Sequence, residues 1–120
     1  MGDLSSNFSR WEFACRCGCG FDTVDKELVE LCEMVRILNG GKKVTVTSGC
    51  RCPAHNLAET RNPDSKSQHM YGRAADILVE NPKAVFERLK KIYPDKYGFG
   101  LYSNRVHVDS RTNGPARWEV

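Results

Sequence analysis

The chain has 120 residues, 40% of them apolar and 28% charged, and a formal net charge of +3. That is room for one domain with a real core; so mild a positive charge reads as solvated lysines, and no block of like charges stands out as an arm or tail. No stretch approaches the roughly 18 apolar residues of a membrane span, and Met1 to Trp11 has no apolar signal-peptide core. Cytoplasmic synthesis without a membrane contact is the expectation.

Residues 1–24 read as an irregular, Cys-rich N-terminal segment, broken by Gly18 and Gly20, with Trp11, Phe13 and Phe21 expected on the core. The six cysteines fall at 15, 17, 19, 32, 50 and 52. Without a signal peptide, thiols or a metal site are stronger readings than a disulfide framework. Cys15, Cys17, Cys19 and Cys52 are a possible structural metal set, although the spacing is not that of paired CxxC knuckles. Buried packing thiols are the alternative.

From Asp25 to Leu38, Leu28, Leu31, Cys32, Val35 and Leu38 recur at helical spacing, and Asn39-Gly40-Gly41 ends the run. Lys43 to Ser48 is β-branched and reads as a strand. Pro53 suits the first turn of a short helix to about Thr60, followed by a polar loop over 61–68. Ala74 to Val79 reads as a second strand. Asn81-Pro82 opens a helix with Phe86, Leu89 and Tyr93 on its buried face, ending at Pro94. Gly98 to Tyr102 and Arg105 to Asp109 are two strands joined by a tight Ser-Asn turn. This order argues for one α+β domain over 1–120, with helices packed on a small antiparallel sheet.

His107 and Asp109 lie two apart on a strand and so share one face, while Val106 and Val108 share the other. His69 precedes a glycine on a loop, and Asp76 stands near the start of a neighbouring strand. One loop and two strands can bring His69, Asp76 and His107 to one point. Two imidazoles and a carboxylate with an open fourth position suit a hydrolytic zinc ion.

The segments Ser48-Gly-Cys-Arg-Cys-Pro-Ala-His-Asn56, Ser67-Gln-His-Met-Tyr-Gly-Arg-Ala-Ala-Asp76, Gly98-Phe-Gly-Leu-Tyr102 and Val106-His-Val-Asp-Ser-Arg111 resemble the zinc D-Ala-D-Ala carboxypeptidase family. The opening Glu12-Phe-Ala-Cys15 and the terminal Ala116-Arg-Trp118 extend that likeness over nearly the whole chain. The family shares its fold with the Hedgehog signalling domain, and the branch most resembled is the small single-domain murein peptidases of phages and bacterial envelopes. The resemblance implies a Hedgehog/DD-peptidase-like fold and zinc held by His69, Asp76 and His107. It also implies that Arg51 polarises the scissile carbonyl and that the Ser67 hydroxyl helps to seat substrate. Gly72 and Ala74 would be small because the backbone passes close to the site, and His55 would be a structural partner of the loop or a substrate contact. The substrate would be peptidoglycan stem or cross-bridge peptides, reached at the cell wall after a phage-type release, by a monomer.

The chain departs from the family pattern at the general base. Several relatives carry Glu or Asp three residues before the last zinc histidine, where this chain has Asn104. Others carry histidine two before it, where this chain has Arg105. Asp109 is the available carboxylate, as base or as orienter of His107. The alternative is a non-catalytic zinc-bearing binding domain of the same fold. A cysteine module for nucleic acid is disfavoured by the low charge and the lack of a basic and aromatic stripe.

Overall fold

The computed structural model describes residues 2–63 and 65–120; Met1 of the expected N-terminal segment and Asp64 of the expected polar loop lie outside them. Among the described residues, three α-helices, α1 (Lys26–Leu38), α2 (Pro53–Thr60) and α3 (Pro82–Ile92), accompany five strands. These are β1 (Thr45–Ser48), β2 (Ala74–Leu78), β3 (Gly98–Leu101), β4 (Arg105–Asp109) and β5 (Ala116–Glu119). The sheet runs β1-β2-β4-β3-β5.

The α+β class is as expected, but the sheet is mixed rather than antiparallel. Its first three pairings are antiparallel, and β5 pairs parallel to β3 with Phe99 opposite Arg117 and Gly100 opposite Trp118. Four residues with weak alternation carry little strand signal of their own, and β5 exists because β3 offers it an unpaired edge.

Alternation along the central strands divides the molecule. Ala75 and Ile77 of β2, Phe99 of β3 and Val106 and Val108 of β4 join the core, all 0% exposed. On that face they meet Leu28, Leu31 and Val35 of α1 and Val85, Phe86 and Leu89 of α3, each helix laying down an i, i+3/i+4 stripe. Burying one such side chain contributes about 1.5–3 kcal/mol. The opposite face carries Asp76, His107 and Asp109.

Helix α1 begins after Asp25, whose carboxylate does not cap the helix. It accepts a 2.6 Å hydrogen bond from the buried Ser110 hydroxyl, tying the start of α1 to the end of β4. Pro82 opens α3 behind Asn81, whose side chain accepts from the Ala84 N–H.

The N-terminal segment is more ordered than its composition suggests. A 3-10 turn over Arg10–Glu12 is closed by the Ser9 N–H donating to the Glu12 carboxylate at 2.7 Å. Phe8 and Phe13 enter the core, but Trp11, expected there, is 74% exposed. The turn points Trp11 away from the side on which Phe8 and Phe13 meet at 6.1 Å. Phe21 is only partly buried.

Candidate metal centre and its cleft

The register of β2 and β4 sets Asp76 directly opposite His107, so the two side chains stand together on the same face. His69 arrives from a 3-10 turn over Gln68–Tyr71, closed by Gly72 in the left-handed region at φ 67°. Its position is fixed twice, by the Arg51 N–H donating to its carbonyl at 3.0 Å and the Ser67 hydroxyl accepting from its N–H at 3.2 Å. The three ligand-type atoms lie within 4.8 Å of one another.

Hydrogen bonds identify which nitrogen of each imidazole faces the cluster. His69 Nδ1 contacts the Gly49 carbonyl at 2.6 Å; a carbonyl only accepts, so Nδ1 carries the proton and Nε2 presents a lone pair. That lone pair faces Asp76 Oδ2 at 3.4 Å. His107 Nε2 meets Asp109 Oδ2 at 2.8 Å, and its Nδ1 meets Asp76 Oδ1 at 2.9 Å. Two carboxylates on the two nitrogens of one ring require both nitrogens to donate, so His107 is imidazolium here.

The residues therefore fit a metal ion. Asp76 and the Nε2 lone pair of neutral His69 are both electron donors and repel unless a cation lies between them. His107 meets that need with a proton on Nδ1, the atom at which a metal would replace it. The nitrogens turned away are committed to a carbonyl and a carboxylate, the outer support usual for metal-binding histidines. Burial pushes the His69 pKa down, keeping the ring neutral, against the opposing pull of Asp76. Burial also disfavours charge on His107, but Asp109 and Asp76 outweigh it and raise its pKa. Asp76 lies well below the usual carboxylate range: burial alone would raise it, and the hydrogen bond from His107 Nδ1 leads the effects that reverse the sign.

Asp109 is 0% exposed and sits behind His107. Arg111 grips it through Nε and Nη2, both at 2.7 Å, the bidentate fork typical of Arg–carboxylate pairs. Burial would raise its pKa; Arg111 and then His107 bring it below the usual range. Gly98 and Gly100, on β3, make this arrangement possible. A Cβ on Gly98 would fall 2.3 Å from Asp109 Oδ2, and one on Gly100 would fall 2.5 Å from the Trp118 indole. That indole packs on His107 with ring centroids 4.8 Å apart and donates to the Tyr102 hydroxyl at 3.2 Å.

The three residues open onto a cleft of about 580 Å³, whose wall includes Arg51, Ser67, His55, Glu59, Asn104 and Arg105. Arg51 Nε is buried without a hydrogen-bond partner, and its Nη2 reaches Ser67 Oγ only at 3.5 Å. His55 stands 3.6 Å from Glu59 one turn along α2. Gly72 is small for a different reason from the expected one. A Cβ there would fall 2.3 Å from the Thr23 carbonyl, so the close approach is to the segment before α1 and not to the cluster.

Several contributors are residues to which the sequence motifs assign no role. Arg111 and Trp118 act through contacts that only the folded sheet creates. Arg16 reaches the cleft wall from the N-terminal segment, held by the Glu12 and Val46 carbonyls. Cys15, Cys17, Cys19 and Cys52 converge elsewhere, with their Sγ atoms also within 4.8 Å of one another.

A small α+β domain with two buried imidazoles and a carboxylate at the floor of an open cleft has the build of a metal-dependent hydrolase. The family model described as Peptidase M15 matches residues 6–109. The chain belongs to that family, and the peptidase class, of the metal-dependent kind, comes with it. No curated protein and no solved structure matches the chain.

Proposed function

We propose that the protein is a zinc peptidase cleaving peptidoglycan stem or cross-bridge peptides at bonds involving D-amino acids, as a carboxypeptidase or endopeptidase. The observation that carries the reading is the convergence of His69 Nε2, Asp76 and His107 Nδ1, with both outward nitrogens already committed. When bound there, zinc would act as a Lewis acid and bring the pKa of water towards about 7. Hydrolysis joins the water oxygen to the scissile carbonyl carbon, breaks the C–N bond and leaves the amine with a proton. Arg51 supplies a donor to the carbonyl oxygen as charge develops there, and Ser67 steadies the Arg51 side chain. The cationic wall of Arg16, Arg51 and Arg105 suits a peptide bearing carboxylates. The choice of a murein substrate rests on the motif resemblance.

The placement of Asp109 supports the orienting role rather than the base. Its oxygens are taken up by Arg111 and His107, on the nitrogen turned away from the cluster. That leaves Glu59, paired with His55, as the further carboxylate on the cleft wall to which we assign proton transfer. Asp109→Asn is expected to lower metal affinity or turnover by about 10–100-fold, the usual effect of losing a partner behind a ligating histidine. Full zinc occupancy with turnover abolished would instead make Asp109 the base.

A non-catalytic zinc-bearing domain is the second reading, favoured by Asn104 and Arg105 in the cleft where relatives carry an acid or histidine. Mass spectrometry of muropeptides incubated with the protein, with and without a zinc chelator, separates the two. Chelator-sensitive loss of a terminal D-Ala, or a cut in the stem or bridge, is the expected result. An unchanged muropeptide panel with zinc-loaded, folded protein would favour the binding domain.

A further inference from the structure

A second cluster stands apart from the cleft floor. Cys15 Sγ lies 3.3 Å from Cys17 Sγ, and Cys17 Sγ lies 3.6 Å from Cys52 Sγ. All four sulfurs, including that of Cys19, fall within 4.8 Å of one another. A tetrahedral site with Zn–S bonds near 2.3 Å spaces its sulfurs by roughly 3.8 Å, so these thiols need only small shifts to surround an ion. No pair is bonded, and a disulfide would require about 2.05 Å.

The backbone is shaped for such a site. Gly18 and Gly20 adopt φ of 82° and 90° with no atom near a would-be Cβ, so they are there to let the chain reverse between cysteines. The loop is closed by the Cys15 N–H donating to the Phe21 carbonyl at 2.8 Å and the Gly18 N–H to the Cys15 carbonyl at 3.2 Å. Sulfur also accepts from backbone: the Cys52 N–H points to Cys15 Sγ at 3.5 Å and the His55 N–H to Cys52 Sγ at 3.4 Å. Cys50, between the same strands of chain, is excluded because its thiol donates to the Thr23 carbonyl.

We infer that Cys15, Cys17, Cys19 and Cys52 bind a structural zinc ion that pins the N-terminal segment to the loop carrying Arg51. Cys52 directly follows Arg51 and caps α2, the helix bearing His55 and Glu59, while Arg16 lies between two of the ligands. One tetrathiolate clamp thereby fixes two cleft arginines and the start of α2. It also compensates for the short, glycine-rich chain over 15–20, which buries little apolar surface of its own.

The test is metal content together with the cobalt spectrum of the full chain under reducing conditions. Cobalt in the wild-type protein is expected to give the intense thiolate charge-transfer absorption of a tetrahedral sulfur site, and zinc to bind at two per chain. Cys17→Ser/Cys19→Ser, both at exposed positions, should lose that absorption and one zinc with an unchanged far-UV circular dichroism spectrum. His69→Ala/His107→Ala should keep the thiolate band while losing the other zinc, so failure of the cysteine site and failure of the peptidase reading are told apart. Absence of thiolate absorption in cobalt-loaded wild-type protein would overturn the inference. So would metal-free protein lighter by the hydrogens of a disulfide.

Discussion

Asp76→Asn is expected to reduce kcat/KM by roughly a thousandfold or more, because an active-site metal contributes several kcal/mol to the transition state. The carboxylate contacts both His69 and His107, and the amide that replaces it offers one neutral oxygen and a nitrogen that donates. Zinc bound per chain should fall with activity, measured by metal analysis beside turnover on a muropeptide. Retention of both would show that the cluster does not hold the metal. The same geometry sets a pH dependence in the native protein. Without metal, the raised pKa of His107 makes its proton a source of stability below the ordinary histidine value, and that stability is lost as pH rises through the folded value. Metal must displace this proton from Nδ1, so zinc binding should strengthen as pH rises and weaken in acid.

The sequence reveals those parts of the fold and site whose signals are local. Helix α1 shows in the spacing of Leu28, Leu31 and Val35, and β4 in Val106 and Val108 alternating with His107 and Asp109. That alternation already put His107 and Asp109 on one face. It did not say which nitrogen of His107 faces Asp109, because that depends on β2 being the neighbour on one side and β3 on the other. The β5 strand escapes notice for a similar reason: Ala116–Glu119 has no period of its own, and its pairing comes from Gly98–Leu101 nearly twenty residues earlier in the chain. Arg111 looks like any exposed arginine until β4 ends and its side chain turns back onto Asp109. Trp11 shows the converse error, since hydrophobicity alone does not tell which of several neighbouring aromatics a turn will direct inward.

The second large effect concerns Arg51. A guanidinium nitrogen that is buried and lacks an acceptor is costly to maintain, since a buried polar group normally finds a partner. Arg51 Nε is such a donor, on the wall of the cleft that also contains His69, Asp76 and His107. Its backbone is anchored by the bond to the His69 carbonyl, so side chain and metal cluster keep a fixed relation. The missing acceptor is what a substrate carbonyl oxygen would supply, most strongly when that oxygen takes on charge. Arg51→Met keeps much of the apolar stem while removing the donors. Turnover should fall by about 100- to 1,000-fold, the scale found when one oxyanion donor is removed. Zinc content and thermal stability should change little, because no hydrogen bond to the cluster is lost. A rise in KM with kcat unchanged would show that Arg51 grips the substrate equally before and during reaction. A fall in kcat with KM unmoved would place its donor on the charge that appears only at the transition state.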